Sequence, residues 1–592
     1  MFLKQKNIFL IIAVLPALIF YLFFLKYGIN APYADDLGAI NSMVIRFYHG
    51  GDSFFEKIIL LFAQCNEHRE FYLATVSVIQ YAIFGEINFL VLDFIGGLAS
   101  LGILFIFYRI IKKYNLASWL IIPISFILFN LTYYHNIFWA VCALQHNSLP
   151  FFVLLNIYVL DGKQSLKRFS FSIILAILAV FTSANGFLLF IAAFPLLIKY
   201  PKKYWLFWIL TGVICFVFYM WNYVHPIQRA SLSINFFEFE KILKTFFIYL
   251  GAFSSAFFYT QSENRIAINL ILGIFSFILI LVLFWKNKNK LLEENNPYII
   301  LSSIFLFLFA TMGLYSLARA NEPIESIFES RYAINQTIYL ISLLLLIVLN
   351  FQIGKITKGF IFAFSILFFI SSYFSKVLAV VGFTNELTAI TLSGKNLKRG
   401  YYFYSDSSGK KVDLTAPSLQ NLEELPYPIV DITAISPSSL KYLNDVLYLS
   451  FSYPGLYPFN KRLEQINQSI VRNQPHNLKK KEPLALLYFK TEKNGFRYSG
   501  KTVKARVSNG EDGVYAVFVN NENKNFVFNL YWSELNRHQQ MLNWDAIYVR
   551  NLEGIIPFKY LPDGKYQLKV FKVEGDSIQM IGSHGNMIVK GM

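Results

Sequence analysis

The residues with the greatest capacity for chemistry fall in three short clusters. The first is Pro32-Tyr33-Ala34-Asp35-Asp36, just beyond the first apolar run. Adjacent carboxylates near a low-dielectric surface repel each other, which raises one pKa and makes a base or a metal ligand. Aspartate is also favoured at helix starts, where it is only a solvated cap. The second is Asn66-Glu67-His68-Arg69-Glu70, an acid, an imidazole and a guanidinium ahead of the apolar run at 71–84. The same pattern also serves as the charged first turn of a helix. The third is Arg319 together with Glu329-Ser330-Arg331-Tyr332. The planar fork of arginine matches two phosphate oxygens at once; beside lipid it is equally a snorkelling anchor. Three cysteines, Cys65, Cys142 and Cys215, are too few for a disulfide framework, and no Cys/His spacing points to a structural metal.

The elements that must position these clusters are membrane helices. Of 592 residues, 55% are hydrophobic and only 15% charged, against about 25% charged in soluble chains. The excess lies between Ile8 and Val381. A helix needs roughly 20 apolar residues to cross a hydrocarbon core, and helices satisfy their own backbone there. The candidate spans are 8–26, 88–110, 117–132, 148–160, 204–222, 266–285, 298–317, 332–350 and 359–381, with 169–198 divided by the turn dipeptide Asn185-Gly186 into short helices at 169–183 and 187–198. The net charge of +17 flanks these runs, so it orients helices and does not imply a nucleic-acid partner.

Basic clusters at Lys4-Lys6, Arg109-Lys112-Lys113, Lys163-Lys167-Arg168, Lys199-Lys202-Lys203, Lys286-Lys288-Lys290 and Lys355-Lys358 place those loops on the cytoplasmic side of a bacterial-type inner membrane. The parity then requires about eleven spans, a cytoplasmic N-terminus and an extracytoplasmic position for everything after 381. Residues 71–84 rise only about 21 Å as a helix, so they read as an amphipathic helix on the outer interface, with Thr75, Ser77 and Gln80 as its polar positions; 245–258 reads the same way. No small-x-small cleavage site follows 8–26, which argues against a signal peptide. The outer loops are 27–87, 133–147, 223–265 and 318–331. Up to Glu70 the first carries a net charge of −3, and loops of such length are usually functional or disordered.

The expected organisation is a helical polytopic domain over 1–384, a mixed α/β connecting region over 385–482 and a β-rich domain over 483–592. The connecting region carries helices near 437–449 and 459–473 and a linker at 475–482. From 483 on, short strands at Leu484–Phe489, Thr502–Val507, Gly513–Val519, Phe526–Leu530, Ala546–Val549 and Lys565–Val573 alternate with turns such as Pro562-Asp563-Gly564, which suggests an α+β or β-sandwich-like extracytoplasmic domain.

The order of the motifs resembles the bacterial branch of the GT-C superfamily of membrane glycosyltransferases. The resemblance rests on the acidic pair Asp35-Asp36 opening the first outer loop and on Asn66-Glu67-His68-Arg69 followed by an apolar run ending in Phe84-Gly85. It extends to the turn Thr182-Ser183-Ala184-Asn185-Gly186 and to Ser330-Arg331-Tyr332 opening a late span. It covers about residues 1–381. It implies a GT-C-like fold and transfer of a sugar from a polyprenyl-phosphate-linked donor to a cell-surface glycan, lipid or protein acceptor. Asp35 and Asp36 would then be the catalytic pair, with Asp36 also a candidate ligand for a divalent cation. Glu67, His68, Arg69, Arg319, Arg331 and Tyr332 would contact substrate. The rival readings are a transporter or flippase, a polymerase of envelope polysaccharide, and a non-enzymatic scaffold. A transporter is expected to show internal repeats and mid-membrane charges; no repeat is evident, and Asp93 lies near the outer end of its span.

Overall fold

The computed structural model describes residues 2–50, 53–224, 239–258, 263–293, 296–319 and 324–398, and beyond them strands between 401 and 589. Among the described residues eight helices are long and apolar enough to cross a membrane. They are Ile8–Tyr27, Phe89–Lys113, Ala140–Leu160, Lys202–Met220, Asn264–Lys286, Pro297–Ala318, Ser330–Asn350 and Lys355–Val380.

Each of the expected spans meets a helix, but three of those helices are short: Ser118–Leu128, Leu166–Val180 and Ala184–Leu197. The longest of the three, at 15 residues, rises about 22 Å, below the roughly 30 Å of a hydrocarbon core. Hydropathy alone does not mark where these helices stop. After Leu128 the stop is Asn130, whose Nδ2 turns back to the Ile127 carbonyl at 2.8 Å while its Oδ1 accepts the Thr132 amide at 2.8 Å. The loop expected at 133–147 is also largely helical. Short helices at His135–Phe138 and Ala140–Cys142 run through a π-helical turn, Ala143–Asn147, into Ser148–Leu160.

The Phe71–Phe84 helix has the expected bounds and the opposite sidedness. Ser77 and Gln80 are buried, whereas Ile79, Ile83 and Phe84 are more than half exposed. The Ser77 hydroxyl donates to the Leu73 carbonyl, and Gln80 bridges the Glu86 carbonyl and the Asn88 amide. Polar side chains that find partners inside the protein leave the apolar ones outward, the arrangement a lipid-facing helix requires.

Two compact units emerge. One comprises Met1–Leu25, Gly51–Ser77 and Val91–Val377; the other Lys26–Gly50, Val78–Leu90 and Leu378–Met592. In the first unit, hydrogen bonds between neighbouring helices replace the water that lipid lacks. Asn147 donates to the Gly96 carbonyl at 2.9 Å, Asn156 to the Ser172 carbonyl at 2.6 Å, and Tyr339 to the Ser276 hydroxyl at 2.7 Å. Phe239–Gly251 crosses Glu263–Lys286 so closely that a Cβ on Gly251 would lie 1.9 Å from the Asn269 carbonyl oxygen, and one on Gly273 would lie 1.8 Å from that of Phe247. The lysine-rich ends are tied to one another: Lys113 pairs with the buried carboxylate of Asp161 at 2.5 Å, Gln164 donates to the Lys199 carbonyl, and Asn287 donates to Asn350 at 2.5 Å.

In the second unit the Asn30 side chain accepts the amide of Phe89 at 2.8 Å, and the Thr384 hydroxyl donates to the Tyr27 carbonyl at 3.1 Å. Its described strands form an antiparallel hairpin, Tyr401–Ser405 with Lys411–Thr415, and two four-stranded antiparallel sheets. One runs Leu487–Glu492, Gly495–Val503, Val549–Pro557, Trp532–Leu535; the other runs Ser577–Val589, Gly564–Glu574, Gly513–Asn520, Asn525–Asn529. Phe496 of the first sheet and Phe518 of the second are fully buried and stack at 5.4 Å between centroids. The long strand Ser577–Val589 was not expected from sequence. Its run is interrupted by Gly582-Ser583-His584-Gly585-Asn586, and the pairing with its neighbour shifts register there. The helices expected near 437–449 and 459–473 and the linker at 475–482 lie outside the described residues.

Candidate functional site

In the first unit the second cluster of the sequence becomes a small hairpin. Gln64–Cys65 pairs with His68–Arg69, and Asn66 turns the chain with a φ of 50°, a left-handed conformation that asparagine tolerates better than most residues. Gln64 fastens the hairpin to the chain beyond the Lys202–Met220 helix. Its Nε2 donates to the Val224 carbonyl at 2.6 Å and its Oε1 accepts the Val224 amide at 3.0 Å.

Arg69 is spent on the backbone. Nε donates to the Tyr219 carbonyl at 2.7 Å, Nη1 to the Phe62 carbonyl at 2.7 Å, and Nη2 to the Trp221 carbonyl. A cation at the carbonyl end of a helix is favourable both as a hydrogen-bond donor and through the helix dipole. Arg69, expected among the substrate contacts, caps the Lys202–Met220 helix and so fixes its neighbour His68. The His68 Nδ1 accepts the Ala184 amide at 3.4 Å, and its Nε2 lies 3.7 Å from the Glu67 carboxylate. In the neutral ring the proton therefore sits on Nε2, toward Glu67.

That Ala184 amide belongs to the Thr182–Gly186 turn, which follows the Leu166–Val180 helix. Gly186 allows the turn to fold against its own helix, since a Cβ there would lie 2.2 Å from the Ala179 carbonyl oxygen. The adjacent Asn185 donates to the Tyr315 hydroxyl at 3.5 Å, and Gln145 donates to the Ser183 hydroxyl at 3.5 Å.

Tyr315 leads to the third cluster. Its ring packs on that of Tyr332 at 4.7 Å. The Tyr332 hydroxyl accepts from Arg319 Nη2 at 2.8 Å, and its carbonyl accepts the Tyr249 hydroxyl at 3.2 Å. Arg331 pairs with Glu329 at 2.5 Å, and its guanidinium lies over the rings of Tyr332 and Trp139 at 5.1 and 5.7 Å. The backbone around Arg331 is held from another segment: His135 donates its amide to the Ser330 hydroxyl at 3.0 Å, and Asn136 donates to the Arg331 carbonyl at 3.2 Å. Burial, reinforced by the charge of Arg331, pushes the His135 pKa down to about 3, so this ring is neutral at physiological pH. His146, in the π-helical turn, sits edge-on to Tyr332 at 5.5 Å; such turns recur at functional sites.

Glu67, His68, Arg319, Arg331 and Tyr332 thus belong to one connected assembly with the Thr182–Gly186 turn. Sequence reasoning missed Tyr249, Tyr315, Trp139, His135, Gln145 and His146. Only Tyr315 carried a usable signal, since it lies one helical turn before Arg319 and its carbonyl accepts the Arg319 amide.

The acidic pair lies in the second unit. Ala34 takes a φ of 42°, and the turn it makes brings the Asp36 amide to the Tyr33 carbonyl at 2.9 Å. Asp36 is 1% exposed, and its Oδ2 accepts the Tyr33 amide at 2.8 Å, while Asp35 is partly open to solvent. A π-helical turn, Leu37–Asn41, follows directly. Tyr33 packs edge-on against Phe383 at 4.7 Å. The two carboxylates are therefore different in kind, one locked and buried, the other accessible. Among the described residues no three His, Cys, Asp or Glu side chains group so as to hold a metal ion.

No family model matches the chain, and no curated protein matches it. Among solved structures, the Archaeoglobus fulgidus oligosaccharyltransferase in complex with zinc and sulfate aligns over 96% of this chain and 98% of that chain, with 11% identity and a TM-score of 0.31.

Proposed function

We propose that the protein is a membrane glycosyltransferase of the GT-C type, moving a sugar from a polyprenyl-phosphate donor to a glycan, lipid or protein acceptor outside the cytoplasmic membrane. The observation that carries this reading is the assembly around Tyr332. Segments picked out by the family resemblance, Glu67-His68-Arg69, Thr182–Gly186 and Ser330-Arg331-Tyr332, are linked through His68 to Ala184, Asn185 to Tyr315, and Tyr315 to Tyr332.

In this reading Asp35 takes the proton of the acceptor hydroxyl as its oxygen attacks the anomeric carbon. The bond from that carbon to the phosphate oxygen breaks, and the lipid phosphate leaves with the electron pair. Asp36, held by the Tyr33 amide, stays in place as the neighbour that tunes Asp35. By the family resemblance alone, Arg331 and Arg319 are the candidates to hold the donor phosphate, where stabilisation of a developing charge is often the largest catalytic term. Their aromatic seats keep both guanidinium planes oriented. His68 positions the Thr182–Gly186 turn.

The reading is tested by comparing cell-envelope glycans of a deletion strain with those of the same strain complemented by the intact gene. Loss of one sugar from one glycan, restored on complementation, is expected. An unchanged glycan profile with altered uptake or export of a lipid-linked intermediate would replace the transferase with a transporter.

A further inference from the structure

The short helix Phe54–Leu60, in the first unit, turns its apolar side away from the protein. Ser53 starts it with a capping box: its hydroxyl accepts the Glu56 amide at 3.5 Å, and its own amide donates to the Glu56 carboxylate at 2.8 Å. Phe54 with Ile58 and Phe55 with Ile59 are pairs one helical turn apart, so the four side chains form one stripe, and Glu56 and Leu60 lie on the other side. Leu60 is buried, whereas Phe54, Phe55, Ile58 and Ile59 are between 41% and 76% exposed. A short amphipathic helix packed for water would have the opposite sides.

This helix is tethered to the end of a span. The Phe62 amide donates to the Ile59 carbonyl at 3.0 Å and the Ala63 amide to the Leu60 carbonyl at 2.9 Å, so the chain turns directly out of the helix. One guanidinium, that of Arg69, holds both the Phe62 and the Trp221 carbonyls, and the Phe62 ring lies edge-on to Phe218 at 5.3 Å. Trp221 and Tyr223 follow directly on the span Lys202–Met220, where such aromatic residues mark the membrane–water interface. Seven helical residues measure about 10 Å, about the depth to which an interfacial helix sinks its apolar face. The helix therefore stays at the level of the leaflet. Its apolar stripe continues the lipid-facing surface of that span end, where Val217, Trp221 and Val224 are between 60% and 70% exposed.

We propose that the helix Phe54–Leu60 lies in the membrane interface at the Trp221 end of the molecule, with Phe54, Phe55, Ile58 and Ile59 among the acyl chains of that leaflet. It does not depend on the transferase reading.

The test places the photoreactive residue p-benzoylphenylalanine, one position at a time, at Phe54, Phe55, Ile59, Glu56 and Phe216 of the full chain. Each variant is irradiated in nanodiscs of dioleoyl phosphatidylglycerol and phosphatidylcholine, and adducts are read by intact-protein mass spectrometry on the incorporated fraction. Phe216, exposed within the span, is the positive control for lipid. Lipid adducts at 54, 55 and 59 are expected within about threefold of that control, and about fivefold fewer at 56. Equal labelling at 56 would overturn the sidedness of the helix. Adducts joining two copies of the chain would make the stripe a self-association face and overturn the proposal. Cross-links to another segment of the same chain, or no adduct while Phe216 labels, would overturn it as well. Positions 54, 55 and 59 carry the same expectation, so a variant that fails to incorporate leaves the others to decide.

Discussion

The turn carrying Asp35 and Asp36 is a single run of neighbouring residues, whereas the arginine end is assembled from segments remote in sequence. In the turn, the left-handed Ala34 and the hydrogen bond from the Tyr33 amide to Asp36 fix the geometry locally. At the arginine end, Arg331 is held by Glu329, Tyr332, Trp139 and the amide side chain of Asn136, and nothing near it in sequence predicts the last two. The first takes its backbone geometry from its own residues, with Phe383 packed on Tyr33; the second fails when any packed segment moves.

The largest effects should therefore come from residues that hold the remote segments in place. Gly186→Val drives a side chain into the Ala179–Val180 backbone, and Arg69→Ala leaves the Phe62, Tyr219 and Trp221 carbonyls without their donor. Each should cost more than about 3 kcal/mol and abolish monodisperse protein in size-exclusion chromatography. Gly313→Ala, where an added Cβ meets nothing within 4 Å, should leave the profile unchanged. Stable, fully folded Arg69→Ala protein would return Arg69 to the substrate contacts.

Next in size is the phosphate grip. Arg331→Ala should keep the fold and lower transfer by about 10²–10³-fold. Arg331→Lys should fall between, because it keeps the charge and loses the fork. Donor binding and turnover that are unchanged in Arg331→Ala would make the residue a lipid anchor.

A smaller effect comes from His135. Its pKa of about 3 in the folded protein lies below the ordinary value, so the unfolded chain binds more protons as pH falls. Its contribution to stability is complete above about pH 6.5 and is lost by about 1.4 kcal/mol per pH unit below it, down to about pH 3. Melting temperatures from pH 8 to pH 5 should drop less steeply in His135→Gln than in the parent. Parallel slopes would mean that His135 does not remain neutral in the folded state.

Much of the helical part was legible in the sequence, since apolar runs and lysine clusters directly report helices and their ends. What hydropathy could not show was where short helices stop, which depends on single side chains such as Asn130, or which way Ser77 and Gln80 face, since both are buried and bonded to the Leu73 carbonyl and to the 86–88 turn. At the candidate site the charged residues stood out by type. Tyr249, Tyr315 and Trp139 did not, because one aromatic residue among many in a membrane chain carries no signal until packing selects it. Arg69 shows the converse: a conspicuous residue whose role is decided by three backbone carbonyls that no sequence pattern displays.

The central claim, that the acidic turn performs glycosyl transfer, is tested most directly by removing its charge while keeping its shape. Asp35→Asn, Asp36→Asn and the double variant would be expressed at matched levels in the deletion strain, and transfer to the acceptor glycan would be measured. A general base contributes about 10²–10⁴-fold, so Asp35→Asn should lose that much. Asp36→Asn should lose less, and the double variant should be inactive yet folded. Asp52→Asn, in the same acidic loop but outside the described residues, should be silent. Full glycan modification by the folded double variant would contradict the account.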